Sequence, residues 1–296
     1  MREITLGRTG IKVPQNGFGA LPIQRDDFET AGKILQKAYE GGMRYFDTAR
    51  AYTDSEEKMG RYLSDVRKDI YIATKTTAKN PEEMKQQMDT SLKMLKTDYA
   101  DVYQFHMANQ CFRPGDGTGM YEQMEDFKRQ GLIKHIGITA HKIGIAEEAV
   151  ESGLYETLQF PFSYLSGERE IKLVKSCIEH DMGFVCMKAL AGGLIHNAKA
   201  AFAYIAQFDN TVPIWGIQRE SELNEWLSFF DNAPELNEEL NSVIDADRNE
   251  LQGDFCRGCG YCMPCPKGIQ INNCARIILM MKRAPSEGWL TEEWQN

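Results

Sequence analysis

Short apolar segments alternate with helix-patterned stretches up to about residue 230, and this rhythm limits the fold more than anything else in the chain. The segments are NGFGAL, MRYFDTA, IYIATK, ADVYQFH, IKHIGIT, YETLQF, MGFVCMKAL and TVPIWGI. They are rich in β-branched and aromatic residues with little polar alternation, the pattern of strands buried on both faces. Between them, FETAGKILQKAYEGG, SEEKMGRYLSD, PEEMKQQMDTSLKMLK, GMYEQMEDFKRQG, KIGIAEEAVESG and REIKLVKSCIEHD carry apolar residues at helical spacing, several ending in glycine. Eight repeats of strand then helix predict an α/β fold, a closed parallel (β/α)8 TIM barrel. An open doubly wound sheet would be expected to show a G-x-G-x-x-G turn after its first strand, and Gly17 and Gly19 begin no such turn.

Before the first barrel strand, ITLGRTGIKVP reads as an N-terminal β-hairpin around Gly7 to Gly10, placed to plug the bottom of the barrel. The rhythm stops at FDNAPELNEEL, so the expected units are a barrel over 1–231 and a small helical C-terminal segment over 232–296. That segment has a polar helix, a cysteine-rich loop, a final helix around NNCARIILMMKR and a tail with Trp289 and Trp294.

The chain has 296 residues, 42% hydrophobic and 26% charged, which sets aside collagen-like and largely disordered readings. Lys plus Arg number 34 against 43 Asp plus Glu, and a net charge of -9 without a basic patch argues against a nucleic-acid partner. No run of about eighteen uncharged apolar residues is present, so no membrane partner is expected. The opening MREITLGRTG lacks a signal-like apolar run, and the expected compartment is the cytoplasm.

Of eight cysteines, Cys256, Cys259, Cys262, Cys265 and Cys274 fall close together, while Cys111, Cys177 and Cys186 are scattered and read as small buried hydrophobes. Disulfides suit neither a reducing compartment nor such dense spacing. Structural zinc takes two Cys-x-x-Cys knuckles set well apart, whereas CRGCGYCMPCP places four thiols at intervals of three and ends in Cys-Pro. That run approaches the ferredoxin pattern C-x2-C-x2-C-x3-C-P for a 4Fe-4S cluster, with Gly258 and Gly260 giving tight turns. The last gap is one residue short. Cys256, Cys259 and Cys262 are the expected first ligands, and the fourth is Cys265 or, past an intervening loop, Cys274, with Cys265 favoured.

Catalytic side chains of such barrels sit at the C-terminal ends of strands. The second predicted strand ends in Asp47 with Tyr52 five residues on, the third in Lys75 and the fourth in His106. A carboxylate, a phenol, an ammonium and an imidazole thus reach one rim. Reduction of a carbonyl requires an acid at its oxygen. Tyr52 suits that role if Lys75 lowers its pKa from about 10 by favouring the phenolate. Asp47 then holds Lys75, and His106 orients the substrate oxygen or relays a proton.

From YFDTARAY through IATKT to DVYQFH the chain resembles the aldo-keto reductases, a likeness that runs from the hairpin to about residue 230. The resemblance implies hydride exchange between NADP or NAD and a small carbonyl or alcohol substrate. The cofactor would extend across the barrel mouth. It implies Thr139 (in GITAH, followed by Ala140 where the family has Asn) and Gln159 at the nicotinamide carboxamide, and Met187 in place of a stacking aromatic ring. It further implies Gly192 and Gly193 near the pyrophosphate, and Gly216, Arg219 and Glu225 toward the adenosine. Glu222 stands where an arginine often binds the 2′-phosphate, and Trp226 replaces an asparagine. CRGCGYCMPCPKGIQI is similar to the C-terminal segment of the subgroup with a ferredoxin-type 4Fe-4S cluster, in a structural role or exchanging electrons with a redox partner. The altered cofactor residues leave a competing expectation, an electron-transfer or redox-responsive protein on a reductase scaffold with weak or no nicotinamide use. Arg113, in the insert after His106, is a candidate for an acidic substrate group but reads better as a solvated loop residue.

Overall fold

The computed structural model describes residues 1–251 and 265–283. It opens on an antiparallel hairpin, β1 (Glu3–Thr5) and β2 (Lys12–Pro14), with Ile4 opposite Val13. Eight parallel strands follow: β3 (Gly17–Gly19), β4 (Tyr45–Asp47), β5 (Tyr71–Thr76), β6 (Ala100–Phe105), β7 (Ile133–Thr139), β8 (Thr157–Pro161), β9 (Gly183–Met187) and β10 (Thr211–Gly216). Each pairs with the next, and β10 pairs with β3 to close the barrel. Every strand coincides with one of the eight apolar segments, β5 and β8 running one residue past theirs to Thr76 and Pro161, as expected for a (β/α)8 barrel.

The outer helices are α1 (Phe28–Glu40), α2 (Ser55–Leu63), α3 (Pro81–Leu95), α4 (Met120–Gln130), α5 (Ile143–Ser152), α6 (Glu168–Glu179), α7 (Ala198–Ile205) and α8 (Glu220–Asp231). Local chemistry sets their ends. The Asp27 side chain accepts from the Thr30 N–H before α1, and Asn80 accepts from Glu83 N–H before α3, with Pro81 in the first turn. Gly131 and Gly153 close α4 and α5 at φ of 77° and 68°, a conformation that side-chain-bearing residues resist. Helix α7 shows no helical periodicity in the sequence because nearly all of it is buried: Ala200, Ala201, Phe202, Ala203, Tyr204 and Ile205 leave no polar face to mark a stripe.

Two apolar cores result from strand alternation. Residues on the outer side, such as Phe46, Ile72, Tyr103 and Phe184, pack under the helices. The inward residues Tyr45, Ala73, Val102, Val185 and Val212 form a second cluster with Ile4, Leu6, Ile11 and Val13, so the hairpin stoppers the N-terminal end of the barrel. Gly7 is needed there: at φ +50° it pairs with Met182, and a Cβ would sit 2.4 Å from the Asp181 carbonyl oxygen.

Beyond the barrel come α9 (Glu238–Glu250), α10 (Ile271–Cys274) and α11 (Ile277–Arg283). The final helix expected from NNCARIILMMKR is therefore broken at Ala275 and Arg276. The break gives Arg276 its place, buried against the loop after β9, where its Nη2 donates to the carbonyls of Ala191 (3.0 Å) and Gly192 (2.8 Å). Arg283 binds Asp247 and Glu250 on α9. No helix among the described residues is long and apolar enough to cross a membrane.

Candidate active site

Because side chains alternate along a strand, one step of two residues beyond the inner apolar layer reaches the next inward position. From Tyr45 that step gives Asp47, from Ala73 Lys75, from Val102 Gln104, and from Val185 Met187. One further step along the chain from Gln104 gives His106. The polar layer thus lies on the barrel's own packed floor at its C-terminal end.

Lys75 is fully buried, and its Nζ donates to Asp47 Oδ1 at 2.6 Å and to the Thr48 carbonyl at 2.5 Å. The same ammonium stands 5.1 Å from the centroid of the Tyr52 ring. The Tyr52 ring meets the His106 ring edge-on at 5.7 Å and 79°. The structure therefore gathers all four side chains singled out at the strand ends.

Tyr52 rides on a loop that is fixed from below. The Thr48 hydroxyl bonds that of Ser55 at 2.9 Å, Ser55 Oγ donates to the Ala20 carbonyl, and the Arg50 N–H donates to the Lys75 carbonyl. Glu56, buried on α2, accepts from Thr74 Oγ1 at 2.6 Å and pairs with Arg50. Thr53 closes the turn at φ +36°, a strained conformation for a β-branched residue, held at the edge of the site.

Burial dominates the electrostatics. It raises Asp47 above the ordinary carboxylate value against the pull of Lys75, Gln159 and Gln104. It also raises Tyr52, while the charge of Lys75 and a hydrogen bond from it pull the other way. The sequence expectation of a lowered Tyr52 pKa is therefore corrected in sign: Lys75 acts as foreseen, and desolvation outweighs it. His106 is pulled down to about 3 by burial and then by Lys75 and His141. It is a neutral imidazole, able to donate one N–H and poorly suited to carrying a relayed proton. A protonated phenol beside a buried cation and a neutral imidazole is an acid able to protonate an oxygen placed over it.

The model of the aldo/keto reductase family matches residues 15–202. The chain belongs to the aldo/keto reductase family. It is 29% identical over 209 residues to an uncharacterized oxidoreductase of Bacillus subtilis, covering 66% of this chain and 67% of that protein. It is 32% identical over 146 residues to a methylglyoxal reductase of Salmonella typhi, covering 47% of this chain and 52% of the relative. Among solved structures, an aldo-keto reductase from Bacillus halodurans superposes with a TM-score of 0.74 at 22% identity, over 83% of this chain and 96% of the other. A second, from Klebsiella pneumoniae in complex with NADP and acetate, gives 0.70 at 18% identity, over 83% and 95%. This chain is accordingly an aldo-keto reductase, an oxidoreductase enzyme.

In this aldo-keto reductase the other residues singled out from sequence lie on β7, β8, β9 and β10, in the segments after β9 and β10, and on α8. Thr139 is buried at the end of β7, its hydroxyl accepting from the Met107 N–H at 2.7 Å, and Ala140 beside it is fully buried. Gln159, buried on β8, lies with its Nε2 3.8 Å from the Met187 sulfur. Gly192 and Gly193 are exposed at φ of 67° and 89°, but the Gly193 N–H donates to the Leu190 carbonyl, and a Cβ on Gly192 would meet Arg276 Nη1 at 2.9 Å. Gly192 leaves room for the docking of Arg276, and the Gly193 amide is already engaged within its own turn. Gly216 at the end of β10, Arg219 at the start of α8 and Glu225 in its middle are exposed, and Arg219 helps line a cleft of about 610 Å³ with Lys33 and Lys37 of α1.

Two adenosine-side readings change in this aldo-keto reductase. Glu222 accepts from the N–H groups of Gln218 (2.9 Å) and Arg219 (3.0 Å), so its carboxylate caps α8. Trp226 is buried and stacked on Trp215 at 3.7 Å and 9°, and Asn16 binds both, taking the Trp215 indole N–H and donating to the Trp226 carbonyl. Trp226 is a core residue.

Arg113 pairs with Glu148 at 2.7 Å on the surface, and Cys111, Cys177 and Cys186 are buried. Among the described residues no group of three or more His, Cys, Asp or Glu could hold a metal. Cys256, Cys259 and Cys262 lie outside the described residues, as do Trp289 and Trp294; Cys265 is half-buried and Cys274 exposed, neither in a disulfide among the described residues. Gln104 is the site residue that strand-end reasoning missed. It lies inside a strand, and the signal that could have found it is its offset of two from His106.

Proposed function

We propose that this enzyme reduces the carbonyl of a small aldehyde or ketone with NADPH or NADH, Tyr52 giving the proton to the oxygen, and oxidises the corresponding alcohol in reverse. The observation that carries this reading is the Lys75 ammonium, bonded to Asp47 on one side and facing Tyr52 on the other. Tyr52 stays protonated at neutral pH and holds its proton at the substrate oxygen. As that proton leaves, Lys75 stabilises the phenolate, and the buried Asp47 keeps the ammonium from turning away. His106, neutral, aligns the oxygen through an N–H.

Residues suited to hold the dinucleotide are Gln159 and Thr139 at the carboxamide, Met187 under the ring, Gly192 and Gly216 along the mouth, and Arg219 and Glu225 at the adenosine, while the Gly193 amide is spent on the Leu190 carbonyl. One observation supports the fit: a Gln159 N–H faces only a thioether, a weak acceptor. When bound, the dinucleotide supplies the electron pair that reduces the carbonyl carbon. The relatives named methylglyoxal reductases make a small dicarbonyl the first substrate to try, and the relative solved with NADP makes NADPH the first cofactor.

The proposal includes a second unit, 232–296, attached to the 1–231 barrel and carrying a 4Fe-4S cluster on Cys256, Cys259, Cys262 and Cys265. The donor set supports it, since closely spaced thiols ending in Cys-Pro suit that cluster better than zinc. A redox partner belongs to this reading only where the cluster exchanges electrons. The test is anaerobic protein assayed for iron, sulfide and visible absorption, then for dinucleotide binding by tryptophan quenching and for dinucleotide oxidation with methylglyoxal and other small carbonyls. Binding with turnover supports the reductase. An iron-containing protein that binds neither dinucleotide supports the electron-transfer alternative, and a protein without iron removes the cluster.

A further inference from the structure

Gln104 is fully buried in the middle of the polar layer, and no part of the acid–base chemistry above uses it. Its Nε2 lies 3.1 Å from Gln159 Oε1 and 3.4 Å from Asp47 Oδ2. Lys75 takes the other Asp47 oxygen, so the carboxylate is held from two sides. The link to Gln159 fixes that amide's direction. With its oxygen engaged by Gln104, its nitrogen turns toward the Met187 sulfur at 3.8 Å, where an N–H is left on a weak acceptor. Space for this bridge comes from Gly137, which pairs with Gln104 on one side and Thr157 on the other. A Cβ there would sit 2.9 Å from Gln104 Cγ and 2.4 Å from Thr157 Oγ1. A buried amide costs free energy unless its bonds are made, and here the Gln104 nitrogen makes both of its contacts while Oε1 is buried without a partner.

We propose that Gln104 is a positioning residue that orients the Gln159 amide toward the mouth and completes the hydrogen-bond shell of Asp47, joining the acid–base centre to the dinucleotide side of the site. The inference rests on the function proposed above for its dinucleotide half. The Asp47 half stands on the buried bonds alone.

Two measurements test it, both on the full chain. The first compares the wild type and Gln104→Leu by urea unfolding across acid to neutral pH, then repeats the pair in an Asp47→Asn background. The titratable groups around Asp47 are Lys75 on β5, Tyr52 on the loop after β4, Tyr45 two residues back on β4, and His106 beyond Tyr52. Gln104 favours the charged carboxylate. The destabilisation by Gln104→Leu is therefore greatest where Asp47 is ionised, shrinks as pH falls through its titration, and loses that dependence in the Asp47→Asn background. A difference constant with pH in both backgrounds, as a filled core position gives, overturns the Asp47 half. The second measurement is NADPH and NADH affinity for Gln104→Leu, Gln159→Leu and the double variant. The expected result is about 5- to 30-fold weaker binding for each single change and no further loss in the double, because both break one device. Unchanged affinity in Gln104→Leu, or losses that multiply, overturns the orienting role. If the wild type binds neither dinucleotide, the proposed function and the orienting half fall together, while the unfolding series still decides the Asp47 half.

Discussion

The Lys75 ammonium lies 2.6 Å from Asp47 Oδ1 with neither side chain more than 2% exposed. Removing one partner leaves a buried charge unpaired, so Lys75→Met is expected to cost about 3–5 kcal/mol in urea unfolding. Adding Asp47→Asn removes the stranded charge and should return most of that stability. Turnover should stay down by about 100-fold or more in both variants, because the cation that stabilises the phenolate is gone. Recovery of activity along with stability would assign the pair a purely structural role.

The pH dependence follows from the raised pKa of Tyr52 and the lowered one of His106. Reduction needs the protonated phenol, present at every pH below its pKa, so its rate should be flat through neutrality and fall only above about pH 10. Oxidation needs the phenolate and should rise with pH over the same range. His106, titrating at about 3, adds no step near its usual value. Rate profiles in both directions check this, and a step near pH 6.5 that vanishes in His106→Gln would contradict it.

Trp226→Asn separates core from cofactor roles. Losing a buried indole stacked on Trp215 should cost about 3–5 kcal/mol. Dinucleotide affinity in the folded fraction should stay within about 2-fold, since a change under 0.5 kcal/mol is all that a remote core position is expected to transmit. Unfolding and binding titrations measure the two effects separately.

What could be read from the sequence was what repeats. Doubly buried strands make unbroken apolar runs, amphipathic helices mark themselves by spacing, and strand ends display Asp47, Lys75 and His106 on one rim. Less legible were features that depend on partners far along the chain. Helix α7 has no polar face, Gln104 reads as a stray polar residue until Asp47 and Gln159 stand beside it, and Trp226 takes its meaning from Trp215 and Asn16. The sign of the Tyr52 shift needed burial, which a linear sequence does not display. The capping role of Glu222 was open to inspection, because a glutamate three residues into a helix commonly reaches back to its start.

Arg276 ties the segment after residue 265 to the β9–α7 loop through the carbonyls of Ala191 and Gly192. Hydrogen bonds from a charged group are worth about 1.5–3 kcal/mol, so in Arg276→Ala the amides of 191–195 should exchange hydrogen roughly 10-fold faster or more. Exchange elsewhere in the barrel should be unaltered. Equal exchange in both proteins would show that the loop holds its shape without the arginine.

The most direct measurement is Tyr52→Phe, which removes a single oxygen from the centre of the site. Turnover of a small carbonyl should drop by about 100- to 10,000-fold while dinucleotide affinity stays within about 3-fold, the loss expected of a proton donor that acts in the transition state. Turnover within about 10-fold of the wild type would contradict the account, because the phenol would then not be the acid.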